Sequence, residues 1–173
     1  MKQQILLILT SVLWMNLAFA QPVIKVYGSE DALAVKEQAG QYLEYLDVRE
    51  KVRLFIHLSA HMPEKQEGMT FCLTSAEPNA YQIMKIWIDA QLSIKQQKLV
   101  LAHEMIHVKQ YAKGELIVLS EQQVLWKGRK YICQQSKRLY TPWESEAYRT
   151  DNLLAKRYKE QPEIHLAAKI SKR

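Results

Sequence analysis

No cysteine stands before Cys72, no stretch after residue 20 is apolar for long enough to span a bilayer, and no segment of the chain repeats another. The first absence argues against a lipid-modified cysteine at the start of a processed chain. The second excludes a spanning helix beyond the first twenty residues, and the third a repeat architecture. No low-complexity linker or break in composition marks a domain boundary. Basic and aromatic residues are nowhere interleaved as in a nucleic-acid module, so no nucleic-acid partner is expected. The cysteines number two, Cys72 and Cys133, in the apolar runs "MTFCL" and "KYIC". A free buried thiol and a disulfide are both compatible with that setting.

What the chain does have begins with a leader. Lys2 gives a positive start, Ile5 to Trp14 an apolar stretch, and Ala18-Phe19-Ala20 a small-x-small cleavage site before Gln21. The sixteen residues from Ile5 to Ala20 fall short of a spanning helix, which needs roughly 20. Residues 1–20 are therefore expected to be a signal peptide, and the product to be exported, periplasmic or secreted, with no stable membrane span after cleavage. Residues 21–173 suit one domain with one core. That part keeps 23 basic and 18 acidic residues. The basic excess sits late, around Lys127 to Arg138 and in a loose tail ending Lys169, Lys172 and Arg173.

Periodicity and punctuation give an α+β domain, a mostly antiparallel sheet packed with helices. "VIKVY" reads as a strand, followed by a helix capped at Ser29 that turns Leu33, Tyr42, Leu43 and Leu46 inward. "KVRLFIHLS" alternates Leu54, Ile56 and Leu58 against Arg53, Phe55 and His57. "MTFCLTS" and "YQIMKIWID" flank a turn at Pro78-Asn79 and form an antiparallel pair. Ser93 to Gln96 is a capping box and Gly114 a helix stop, so a helix covers Ile94 to Lys113. "LIVL", "QVLW" and "RKYIC" read as strands, the last two joined by a turn at Lys127-Gly128. A last helix runs from Pro142 to Lys159.

The second of these helices contains "LVLAHEMIHV", in which His103, Glu104 and His107 interrupt an apolar run. Apolar residues surround the helix on nearly every side, which marks it as buried, and buried polar groups need partners. His103 and His107, four apart, project from one face, the spacing at which two imidazoles bind one Zn2+. Glu104 lies about 100° round the helix, where it reaches a water on the ion rather than the ion itself. "HEMIH" fits the HExxH pattern and resembles the zincin class of metallopeptidases.

A hydrolytic zinc site takes three protein ligands and keeps one position open. The elongated zincin motif has Gly and His where this chain has Gln110 and Lys113, and the next histidine is His165. The resemblance then implies an acid on a later helix, as in the gluzincin branch. "YTPWESEAYRTDN" offers Glu144 and Glu146. Thr141-x-x-Glu144 is a capping box, which gives Glu144 a structural task. Trp143, Ala147, Thr150, Leu153 and Leu154 form an inward stripe that includes Glu146, so Glu146 is the expected ligand and Glu144 the alternative. "ESEA" on a helix after HExxH is similar to compact peptidases of the ImmA/IrrE kind. The similarity covers the two helices and departs after Ala147, where Tyr148 and Arg149 stand. Asp151 is an outer partner for a ligand histidine or an ordinary exposed aspartate.

The function expected from this pattern is zinc-dependent hydrolysis of a peptide or protein substrate outside the cytoplasm. His103, His107 and Glu146 would hold the ion, and Glu104 would act as general base. Tyr140, Tyr148 and His57 are the candidate oxyanion donors, none distinguished by spacing, and His57, like His61, reads first as an ordinary strand-end histidine. The resemblance implies that "YQIMKIWID" receives an extended substrate by edge pairing. The competing expectation is a non-catalytic envelope protein whose core a zinc ion stabilises.

Overall fold

The structure, a computed structural model, describes residues 21–63, 66–74, 80–133 and 141–159. The expected signal segment, the turn expected at Pro78-Asn79, Tyr140 and the expected basic tail lie outside the described residues. The domain is α+β. Its main sheet is built from β1 (Val23–Tyr27), β2 (Val52–Ser59), β3 (Gly68–Cys72) and β4 (Gln82–Asp89), in the order β1-β2-β4-β3. β1 and β4 run parallel to β2, whereas β3 runs antiparallel to β4. A second sheet is an antiparallel meander of β5 (Leu116–Ser120), β6 (Gln123–Trp126) and β7 (Arg129–Ile132). The three helices are α1 (Ala32–Tyr45), α2 (Ile94–Ala112) and α3 (Pro142–Lys159).

The alternation in β2 and β4 sets which sheet face meets the helices. Leu54, Ile56, Met84, Ile86 and Ile88 are buried, while their neighbours in sequence are half-buried on the opposite face. α2 closes over the buried face and is apolar on most sides, with Leu101, Met105, Ile106 and Val108 all inside. It is pinned at both ends. At the start, Ser93 Oγ accepts from the Gln96 amide while Gln96 returns a bond to the Ser93 amide. At the other end, the Gln82 side chain of β4 donates to the Ala112 carbonyl at 3.1 Å, satisfying one of the helix's last free acceptors. A rigid α2 is what gives its polar side chains fixed positions.

Two expectations are corrected here. The cap of α1 is Asp31, whose side chain accepts from the Ala34 amide, and not Ser29. Ser29 Oγ is occupied one step earlier by the Asp31 amide, so the helix starts later and leaves Leu33 exposed. The strand before α2, β4, is no edge: β2 pairs with one side of it and β3 with the other. Its backbone has no free ladder to offer a substrate, and β3 is the edge on that side.

Gly28 makes the turn from β1 toward α1 with φ +74°, and a Cβ there would stand 2.1 Å from the Leu58 carbonyl oxygen. Gly114 has a similar φ, +64°, but a Cβ there meets nothing within 4 Å. The left-handed conformation alone costs a non-glycine residue about 1–2 kcal/mol. Gly114→Ala is therefore expected to lose about that much stability in denaturant unfolding, and Gly28→Ala clearly more, because β1 and β2 must part. Equal losses would contradict the packing of the turn.

Candidate metal centre

Three side chains from α2 and α3 meet where the helices pack together. His103 Nε2 and His107 Nε2 are 3.3 Å apart, and each lies 3.4 Å from Glu144 Oε2. A tetrahedral ion with bonds of about 2.0–2.1 Å holds its ligand atoms roughly 3.3–3.4 Å from one another. All three edges of the observed triangle have that length, so the three groups together could hold a metal ion. Without an ion, two imidazole nitrogens and a carboxylate would share a half-buried point on hydrogen bonds alone.

The remaining ring nitrogens are also engaged. His103 Nδ1 faces Asp151 Oδ2 at 3.3 Å, and His107 Nδ1 faces Gln110 Oε1 at 2.8 Å. An acceptor at each Nδ1 favours the tautomer with its proton there and turns the Nε2 lone pair to the centre. Asp151 and Gln110 are both buried, which makes these contacts specific rather than surface accidents. Gln110 is held in turn by donating to the Trp143 carbonyl at 3.0 Å and to Glu146 Oε2 at 2.9 Å.

Glu146, the expected third ligand, is not brought to the imidazoles; the rotation of α3 places Glu144 there instead. Residues two apart on a helix point about 200° away from each other, so the two glutamates cannot serve one site. The buried line of α3 is Trp143, Ala147, Asp151 and Leu154, whereas Leu153 is 63% exposed. Glu144 borders that line on the side of the imidazoles. Glu146 Oε1 instead lies 3.2 Å from Lys109 and 3.4 Å from Lys127, an ion-pair cluster beside the site. Glu144 Oε2 faces both histidines.

Glu104, 4% exposed, is buried beside the triangle without belonging to it. Its Oε2 accepts from the Thr70 hydroxyl of β3 at 2.7 Å. A Cβ on Gly68 would stand 2.7 Å from Glu104 Oε1 and 2.5 Å from Val100, so the strand passes this close only because Gly68 has no side chain. Burial pushes the Glu104 carboxyl above its ordinary value, against the pull of His107, the Thr70 hydrogen bond and His103. Glu144 goes the other way: burial alone would raise it, but the hydrogen bonds from His103 and His107 prevail and bring it down to about 2.

Of the expected oxyanion donors, Tyr148 is brought to the site, its ring centroid 4.6 Å from that of His103 and half its surface exposed. His57 is not; it stacks between Tyr27 and Trp87 on the far face of the sheet. Thr70, Gly68 and Gln110 are site residues that sequence reasoning missed. Gln110 had a visible signal, a polar residue three positions after His107 on a buried helix; Thr70 and Gly68 had none. Cys72 and Cys133 are both free thiols. No family model, curated protein or solved structure matches the chain.

Affinity for added Zn2+ separates these roles. Glu144→Gln is expected to lose at least about tenfold, and Gln110→Ala about 10–100-fold, since partners behind a ligand matter nearly as much as ligands. Glu146→Gln is expected to stay within a few-fold of the parent. A larger loss for Glu146→Gln than for Glu144→Gln, measured by competition with a chromophoric chelator, would reverse the assignment.

Proposed function

We propose that the chain is an exported zinc-dependent peptidase in which His103, His107 and Glu144 hold one zinc ion and Glu104 is the general base. The observation that carries this reading is the triangle with edges of 3.3, 3.4 and 3.4 Å, together with a buried carboxylate beside it that is not one of its corners. Two imidazoles and one glutamate are a donor set of hydrolytic zinc sites with an open position. Zinc supplies Lewis acidity there, acidifying water and polarising a carbonyl oxygen.

The chain's own groups then divide the work. Glu104 Oε2 is anchored by Thr70, which leaves Oε1, in the space beside Gly68, to take the proton of the attacking water and return it to the leaving amine. Its raised pKa suits both halves of that task. Asp151 and Gln110 keep the imidazoles in one tautomer and orientation. Tyr148, against His103 and open to solvent on one side, donates its hydroxyl to the developing oxyanion. The outer edge of β3, unpaired among the described residues, runs past Thr70 and takes an extended peptide as an added strand. A zinc ion that merely stapled α2 to α3 needs no further carboxylate beside it, and although Glu104 also ties β3 to α2 through Thr70, its place next to the triangle favours catalysis over the structural alternative.

The test is turnover of a broad peptide library by protein loaded with one zinc per chain. Glu104→Gln is expected to keep the zinc and to lose about 10²–10⁴-fold in kcat/KM, the usual contribution of a general base. Cleavage by Glu104→Gln at the parent's rate would refute the role of the base. A zinc-loaded parent that cleaves nothing would leave the structural reading standing in its place.

A further inference from the structure

The face of the main sheet turned away from the helices is not the polar surface that a half-solvated sheet ordinarily presents. Three rows of cross-strand neighbours cover it. The first is Tyr27, His57, Trp87 and Met69. The second is Lys25, Phe55, Lys85 and Phe71, and the third begins Val23, Arg53 and Ile83. These rows contain seven apolar or aromatic residues, three basic ones, the uncharged imidazole of His57, which burial and Lys85 push below its ordinary value, and no carboxylate. Asp89 stands one row further on, where its Oδ1 accepts from the Gln91 amide at 2.8 Å. Among the described residues neither Lys25 nor Lys85 is paired with a carboxylate, while Arg53 lies 5.2 Å from the Tyr81 ring centroid. Tyr27 and Phe71 are each more than two-fifths exposed.

We propose that this face docks the protein on the surface of an anionic phospholipid bilayer. Aromatic rings edged by lysine and arginine are the chemistry of the membrane interface: the rings lie among the headgroups and the long cationic side chains reach the phosphates. The ring geometry separates this from nucleic acid. Tyr27, His57 and Trp87 are stacked at centroid distances of 4.7 and 5.0 Å with planes 16° apart, so both faces of His57 are covered and the pile turns its edges outward. Within that pile a base seeking an open ring face has little to stack on. A second copy on the same face would set Lys25, Arg53 and Lys85 against their own kind, and an anionic surface is what complements them. No helix of the described residues is long and apolar enough to cross a membrane, so the docking is peripheral. It does not depend on the metal centre, which lies on the opposite side of the sheet.

A chain beginning at Gln21 keeps every element from β1 to α3 and is the protein to use, since the apolar leader would bind lipid by itself. It is expected to pellet with vesicles of equal parts phosphatidylglycerol and phosphatidylcholine, not with phosphatidylcholine alone, and to be released by high salt. Each basic side chain at such a surface strengthens binding roughly fivefold, so the triple variant Lys25→Ala, Arg53→Ala, Lys85→Ala should bind about a hundredfold less. Exchanging the three for the other basic residue should restore binding, and unchanged thermal unfolding would show that the fold is kept. Brominated lipid should quench tryptophan emission in the parent and much less in Trp87→Phe, because Trp126 and Trp143 are buried elsewhere. Failure to pellet with the anionic vesicles would overturn the proposal. So would undiminished binding of the triple variant, which assigns the contact to the late basic residues. A dimer dispersed by the triple variant would give the face to a second copy, and oligonucleotide binding without vesicle binding would give it to nucleic acid.

Discussion

A helix buried on nearly all sides must find a partner for every polar group it carries, and the arrangement around α2 follows from that demand. Each partner comes from a different direction. Thr70 reaches Glu104 from β3, Glu144 and Asp151 reach the histidines from α3, and Gln110 closes on His107 from the next turn of α2 itself. Removing any of them would leave a buried donor or acceptor unmet, a loss of about 1–3 kcal/mol before any metal is considered. The polar cluster therefore fixes how α3 and β3 dock as much as it prepares a site. Gly68 shows the same constraint from the backbone side, since the strand approaches Glu104 to a distance that any side chain would forbid.

The centre of the site was legible because its pattern is local. His103 and His107 share a face by helix geometry alone, and Ser93 with Gln96 announces where that helix begins. Pro142 and the following residues likewise set the start of α3. Which glutamate of α3 meets the imidazoles was not legible because it depends on the rotation of that helix, and its apolar residues mislead. Leu153 reads as inward by hydrophobicity yet is exposed, while Asp151 is buried because a histidine meets it. A stripe read from hydrophobicity alone is shifted whenever its inward line includes a charged residue. That shift was enough to exchange Glu144 for Glu146.

Non-local pairing explains the other departures. Strand existence follows from alternation, but strand order does not, so nothing in "YQIMKIWID" reveals that it is covered on both sides while β3 takes the edge. The same holds for the outer sheet face. Lys25, Phe55, Lys85 and Phe71 come from four strands and lie in one row only after the sheet has formed. Along the chain each alternates with a core residue, and no run of basic and aromatic residues is visible. The basic excess visible along the chain sits late, and nothing in the sequence shows that the early Lys25, Arg53 and Lys85 share one face.

In the proposed site two imidazoles and one carboxylate, and no sulfur, would surround a tetrahedral zinc ion. X-ray absorption on protein loaded with one equivalent of zinc tests it most directly. The predicted spectrum has a four-atom shell of nitrogen and oxygen at about 2.0–2.1 Å with the outer scattering of two imidazole rings. A sulfur shell near 2.3 Å, which would bring in Cys72 or Cys133, or a six-coordinate oxygen shell without imidazole, would contradict it.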